Sequence, residues 1–92
     1  VSNTVPNAAQ LQKSLNDYLV ENSSVSVSGT IDPEENLLDT GILDSLGIAE
    51  ITEFMEKEFG VEIDEEEISA KNYRSLKTLT DFCLAKLGRA AA

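Results

Sequence analysis

Asp39 to Gly60 reads DTGILDSLGIAEITEFMEKEFG. Within it Ile48, Ile51, Phe54, Met55 and Phe59 recur at the spacing of one helix face, while Glu50, Glu53, Glu56 and Lys57 take the opposite side. The pattern predicts an amphipathic helix from Ser45 to Phe59, ended by Gly60, a residue suited to a left-handed C-terminal cap. Leu46 breaks the pattern, because it falls in the middle of the acidic side. A single exposed leucine is ordinary on a protein surface. At this position it is also a candidate contact for a partner.

Ser45 stands at the start of this helix, directly after Asp44. Serine is a preferred N-cap. A phosphodiester on the same hydroxyl would lie beside the free backbone N–H groups of the helix start, which suit an anion, and the two roles are compatible. As an unaided nucleophile Ser45 is a poor candidate. The chain has no histidine, and Lys57 would stand about 18 Å along the helix.

Upstream, Asn7 and Gln10 fit a capping box, and Leu11, Leu15, Tyr18 and Leu19 form one apolar face, which predicts a helix over residues 8–21. From Asn22 to Asp44 that periodicity is lost. Val25 and Val27 alternate with serines, but a lone strand has no partner, so this stretch is expected to be an ordered loop pinned by Leu37, Leu38, Ile42 and Leu43. Downstream, Asp64 and Glu67 resemble another capping box and predict a short helix over 65–71 with a solvated start. Ser75 then caps a last helix in which Leu76, Leu79, Phe82, Cys83 and Leu87 share a face and Gly88 ends the run. The expected fold class is all-α, a small four-helix bundle of three longer helices and one short one, with a long ordered loop between the first and second.

Ninety-two residues, 41% of them hydrophobic, suffice for one small core. Residues 8–88 are expected to form the domain, with 1–7 and 89–92 as flexible tails. The net charge of −10 repels nucleic acid and anionic membranes and attracts basic protein surfaces. It is unevenly spread: residues 14–70 carry 16 acids against Lys57 alone, and residues 71–92 carry five bases against Asp81. Without histidine and with one cysteine there is no imidazole base, no thiolate–imidazole zinc site and no internal disulfide, and no apolar run approaches a membrane span. Cys83 reads as a small buried hydrophobe, and Tyr73 as a lid on the core. No metal site and no catalytic residues are expected, and a reducing cytoplasm is the expected location.

The Asp44-Ser45-Leu46 motif, with Ile48, Glu50, Ile51, Met55, Phe59, Gly60 and the Val61-Glu62-Ile63 exit after it, resembles the phosphopantetheine-dependent carrier proteins of acyl, polyketide, nonribosomal-peptide and D-alanine metabolism. The resemblance covers residues 8–87. It implies that a phosphopantetheinyl transferase moves 4′-phosphopantetheine from coenzyme A onto Ser45, next to Asp44, and that the thiol of this arm carries an acyl or aminoacyl group as a thioester between enzymes. The expectation is a monomer without catalysis of its own; the charge points to activating and transferring enzymes with basic docking surfaces, and the helix pattern to Leu46, Glu50, Glu53 and Glu56 as the residues they read. Gly47, where fatty-acid carriers usually have an acid, and the Gly41-Ile42-Leu43-Asp44-Ser45 approach look more like D-alanyl and specialised-pathway carriers. The alternative is an acidic helical adaptor that binds basic proteins and is never modified.

Overall fold

The computed structural model describes residues 7–27 and 29–91. The tail expectations for residues 1–6 and 92 lie outside them. Helix α1 spans Ala8–Asn22 and begins with the predicted reciprocal cap. The Asn7 side chain accepts the Gln10 amide at 2.8 Å, and the Gln10 side chain accepts the Asn7 amide at 2.9 Å, satisfying two donors that lack partners within the helix. Leu11, Leu15 and Leu19 are buried along it. Helix α2 spans Ser45–Phe59 and ends where Gly60 takes φ 70°, a left-handed conformation that a side chain would oppose. Ile51 and Met55 are its fully buried residues, flanked by half-buried Ile48, Phe54 and Phe59.

Two boundaries differ from the expectation. The short helix over 65–71 is two pieces, a 3-10 turn at Glu65–Glu67 and a single-turn helix α3 at Ala70–Tyr73. The Ile68 amide closes the turn onto the Glu65 carbonyl. Ser69 is extended and restarts the helix, its hydroxyl accepting the Asn72 amide at 3.4 Å. Nor is the start of this segment wholly solvated, because Glu67 is mostly buried and pairs with Lys86 at 2.8 Å. Helix α4 spans Leu76–Ala91 and runs through Gly88, which was expected to end it. A glycine inside a helix costs only about 1 kcal/mol relative to alanine, and the residues after it are helix formers rather than a proline. Ser75 caps α4 as expected. Its hydroxyl accepts the Thr78 amide at 3.1 Å, and the Thr78 hydroxyl accepts the Ser75 amide at 3.0 Å.

The segment between α1 and α2 contains no strand among the described residues. Its order comes from Asn16, a nearly buried residue of α1, whose Nδ2 donates to the Gly29 carbonyl at 2.9 Å and whose Oδ1 accepts the Ile31 amide at 2.8 Å. One side-chain amide thus gives the loop backbone the donor and acceptor that a neighbouring strand would have given. Ile31, Leu37, Ile42 and Leu43 are buried and Leu38 is half-buried. The Leu37 amide donates to the Arg74 carbonyl at 2.6 Å, and the Pro33 carbonyl accepts the Lys77 amide at 3.0 Å, so the loop is clasped to the junction of α3 and α4.

Helix α1 packs chiefly on α4, with α2 against α1. Tyr73 is buried, and its hydroxyl lies 2.6 Å from the Thr52 hydroxyl, which ties α3 to α2. Cys83 is buried too, and burial pushes its thiol up to about 11. The architecture is the all-α bundle of three longer helices and one short one that the periodicity predicts. No helix among the described residues is long and apolar enough to cross a membrane.

Candidate functional site

Gly41, at φ 81°, turns the loop so that Ile42 and Leu43 enter the core, and the chain reaches α2 with Asp44 extended. Burial of Leu43 on one side and of Ile51 on the other sets the register of the helix start. The N-cap is therefore Asp44, not Ser45. Its Oδ1 accepts the Gly47 amide at 2.7 Å, and its carbonyl accepts the Ile48 amide at 2.8 Å. Aspartate and serine cap about equally well, so packing rather than capping preference decides between these neighbours.

Ser45 becomes the first helical residue. Its side chain is exposed, and its hydroxyl makes no hydrogen bond with the described residues. The amides of Ser45 and Leu46 precede the first intrahelical bond, so an anion carried on the Ser45 oxygen would meet them. The third amide, that of Gly47, is held by Asp44. Gly47 permits this close cap, since a Cβ there would stand 3.2 Å from Asp44 Oδ1 and 3.4 Å from Leu43 Cδ2.

Two serines after α1 brace the same corner. The Ser23 hydroxyl donates to the Ile42 carbonyl at 3.1 Å, and the Ser24 hydroxyl donates to Asp44 Oδ2 at 3.3 Å. Beside them lies a crevice of about 50 Å³, lined in part by Tyr18, Ser24, Leu43, Leu46, Gly47 and Glu50. Nothing local in the sequence signals it. Ser24 and Asp44 are 20 residues apart and meet only because the loop returns to the end of α1.

Leu46 is 68% exposed, and among the described residues only Val25 is another large apolar side chain on the surface. Glu50 and Glu53 are also exposed, Glu53 lying 3.8 Å from Lys57, a surface pair of little energetic weight. Glu56 is placed differently. It is half-buried and accepts the Ile63 amide at 3.1 Å, bracing the exit from α2. Tyr18 stacks on Phe54 with ring centroids 4.4 Å apart. Its phenol pKa is raised by partial burial first and then by the charges of Glu50 and Glu53.

Chemically, this corner presents an accessible hydroxyl next to the Asp44 carboxylate, which is engaged by the Gly47 amide and the Ser24 hydroxyl. A hydroxyl so exposed can receive a group transferred to it.

Residues 17–83 match the protein family described as a phosphopantetheine attachment site. The chain is also similar to a protein of Bradyrhizobium diazoefficiens named aminoacyl carrier protein 2, with 35% identity over 63 residues, covering 68% of this chain and 70% of that protein.

Proposed function

The chain belongs to the phosphopantetheine-dependent carrier proteins, and from that premise we propose that Ser45 is the hydroxyl that receives the arm. Members of the family bear 4′-phosphopantetheine and act as carriers rather than enzymes. The observation that supports Ser45 is its position as an exposed, unbonded hydroxyl at the start of α2, preceded by the capping Asp44. In the transfer, the Ser45 oxygen forms a bond to the phosphorus that bears the pantetheine. The pyrophosphate bond of coenzyme A breaks, 3′,5′-ADP leaves, and the hydroxyl proton passes to a base of the transferase.

The residues present fit such a group. The amides of Ser45 and Leu46 precede the first intrahelical bond and suit an anion carried on the Ser45 oxygen, while Asp44 caps the Gly47 amide. Once attached, the arm supplies a thiol that can carry an acyl or aminoacyl group as a thioester.

The name of the Bradyrhizobium protein supports an aminoacyl cargo, and Gly47 in place of an acid supports a specialised pathway over housekeeping fatty acid synthesis. Residues 8–88 form the carrier unit in this reading. It works as a monomer in the cytoplasm, where coenzyme A is supplied, with partners whose docking surfaces are basic. The test is incubation with coenzyme A and a broad-specificity phosphopantetheinyl transferase, read by intact mass. Gain of one phosphopantetheine supports the reading. No gain with several active transferases would favour the unmodified adaptor.

A further inference from the structure

The crevice beside Leu46 has Tyr18 on one wall. The same ring also lines a larger groove of about 250 Å³ on the seam of α1 and α2, with Ser14, Asp17, Glu21, Phe54 and Glu58. Tyr18 and Phe54, stacked and both half-buried, line it together, and exposed Leu46 lines the neighbouring crevice. Exposed Glu21 and Glu58 line it, exposed Glu50 lines the crevice, and the charges of Glu50 and Glu53 act on the Tyr18 ring. The two lysines of these helices are each already opposite an acid one turn away, Lys13 at 2.8 Å from Asp17 and Lys57 at 3.8 Å from Glu53.

We propose that this α1–α2 furrow, rather than the whole outer face of α2, is where the enzymes acting on Ser45 seat an arginine-bearing segment. The proposal rests on the carrier reading and adds to it a place and a chemistry. A guanidinium stacks flat on an aromatic ring and pairs with carboxylates, and its aliphatic stem can cover apolar surface, so one arginine side chain matches rings and carboxylates together. Glu56 does not belong to the face, because the fold already uses its carboxylate on the Ile63 amide. Glu21 does belong, although it is on a different helix. Exposed Lys71 and Arg74, in α3 and just after it, line a different groove and repel a basic partner there.

The experiment compares the wild-type chain with Glu21→Lys and Glu34→Lys as substrates of a broad-specificity phosphopantetheinyl transferase. Both substitutions change the net charge equally. Glu34 lies in the loop next to Pro33, which contacts the start of α4 and not the seam. A cation in the last turn of α1 suits the helix dipole, so the Glu21 variant is expected to fold, as a circular dichroism melt will show. At low salt, kcat/KM should fall on the order of tenfold for Glu21→Lys, and clearly less for Glu34→Lys. In a parallel titration of ¹⁵N-labelled protein with transferase alone, amides in residues 17–22 should shift together with those of the first half of α2. Equal losses for both variants, or shifts confined to α2 and residues 60–70, would overturn the furrow while leaving the carrier reading intact. A wild-type chain that is never modified would overturn the carrier reading itself, and the furrow with it.

Discussion

Removing the Asp44 side chain should destabilise the domain, whereas removing the Ser45 hydroxyl one residue later should not. Asp44 Oδ1 takes the Gly47 amide at 2.7 Å and Oδ2 takes the Ser24 hydroxyl at 3.3 Å. Loss of an N-cap costs about 0.5–2 kcal/mol, and a carboxylate at a helix N-terminus contributes about 0.3–1 kcal/mol through the dipole. The exposed Ser24 bond adds little. Asp44→Ala is therefore expected to lose about 1.5 kcal/mol. With a urea slope of about 1 kcal/mol per molar for a chain this small, the midpoint falls by roughly 1.5 M. Asp44→Asn keeps the acceptor and should recover most of that shift. Ser45→Ala removes an exposed hydroxyl that holds nothing and inserts a better helix former, so its stability should stay within about 0.5 kcal/mol of wild type. Urea unfolding of the three variants, followed by circular dichroism at 222 nm, measures this. Equal destabilisation by Ser45→Ala and Asp44→Ala would show that serine is the cap and that the site has been built on the wrong residue.

Leu46→Ala should leave the unfolding midpoint almost unchanged, since the side chain is 68% exposed, but should speed dissociation from the transferase in surface binding, by up to the 1.5–3 kcal/mol that about one buried leucine is worth. Asn16→Ala removes both of the bonds that order residues 29–31 and should cost about 2–3 kcal/mol, with amide exchange at Ile31 rising more than in α4. Cys83 should be unreactive to a thiol reagent at pH 8 in the folded apo protein and reactive in urea. Burial raises its thiol from 9.0 to about 11, so the unfolded state ionises first. Its contribution to stability is intact below about pH 9 and is lost as pH rises from there through about 11. A folded apo protein that titrates one thiol at pH 8 would contradict the buried placement.

The helices with strong periodicity and local caps were legible in the sequence. Asn7 with Gln10, and Gly60 at the end of α2, are signals in which the residues that form the bond are three or four apart. What was missed depends on contacts between distant segments. Asn16 carries no local signal of its role, and only the returning loop makes it a clasp. The choice of Asp44 over Ser45 as cap is set by where Leu43 is buried, which no local preference reveals. The same holds for Glu56, whose acidic position on the helix wheel says nothing of the Ile63 amide that folds back onto it. At Ile68 and Ser69 a propensity for helix existed on both sides, and the serine cap divided it. Gly88 was read as a stop because glycine often is one, yet its φ is not left-handed and α4 continues through it.

The most direct test of the account is to locate the modification. Wild type and Ser45→Ala are treated with coenzyme A and transferase, digested, and the peptides read by fragmentation mass spectrometry. The account predicts one phosphopantetheine, on the peptide containing Ser45 and on that oxygen, and none on a folded Ser45→Ala protein. An arm found on another serine, such as Ser23, Ser24 or Ser69, or one that persists in the alanine variant, would contradict it.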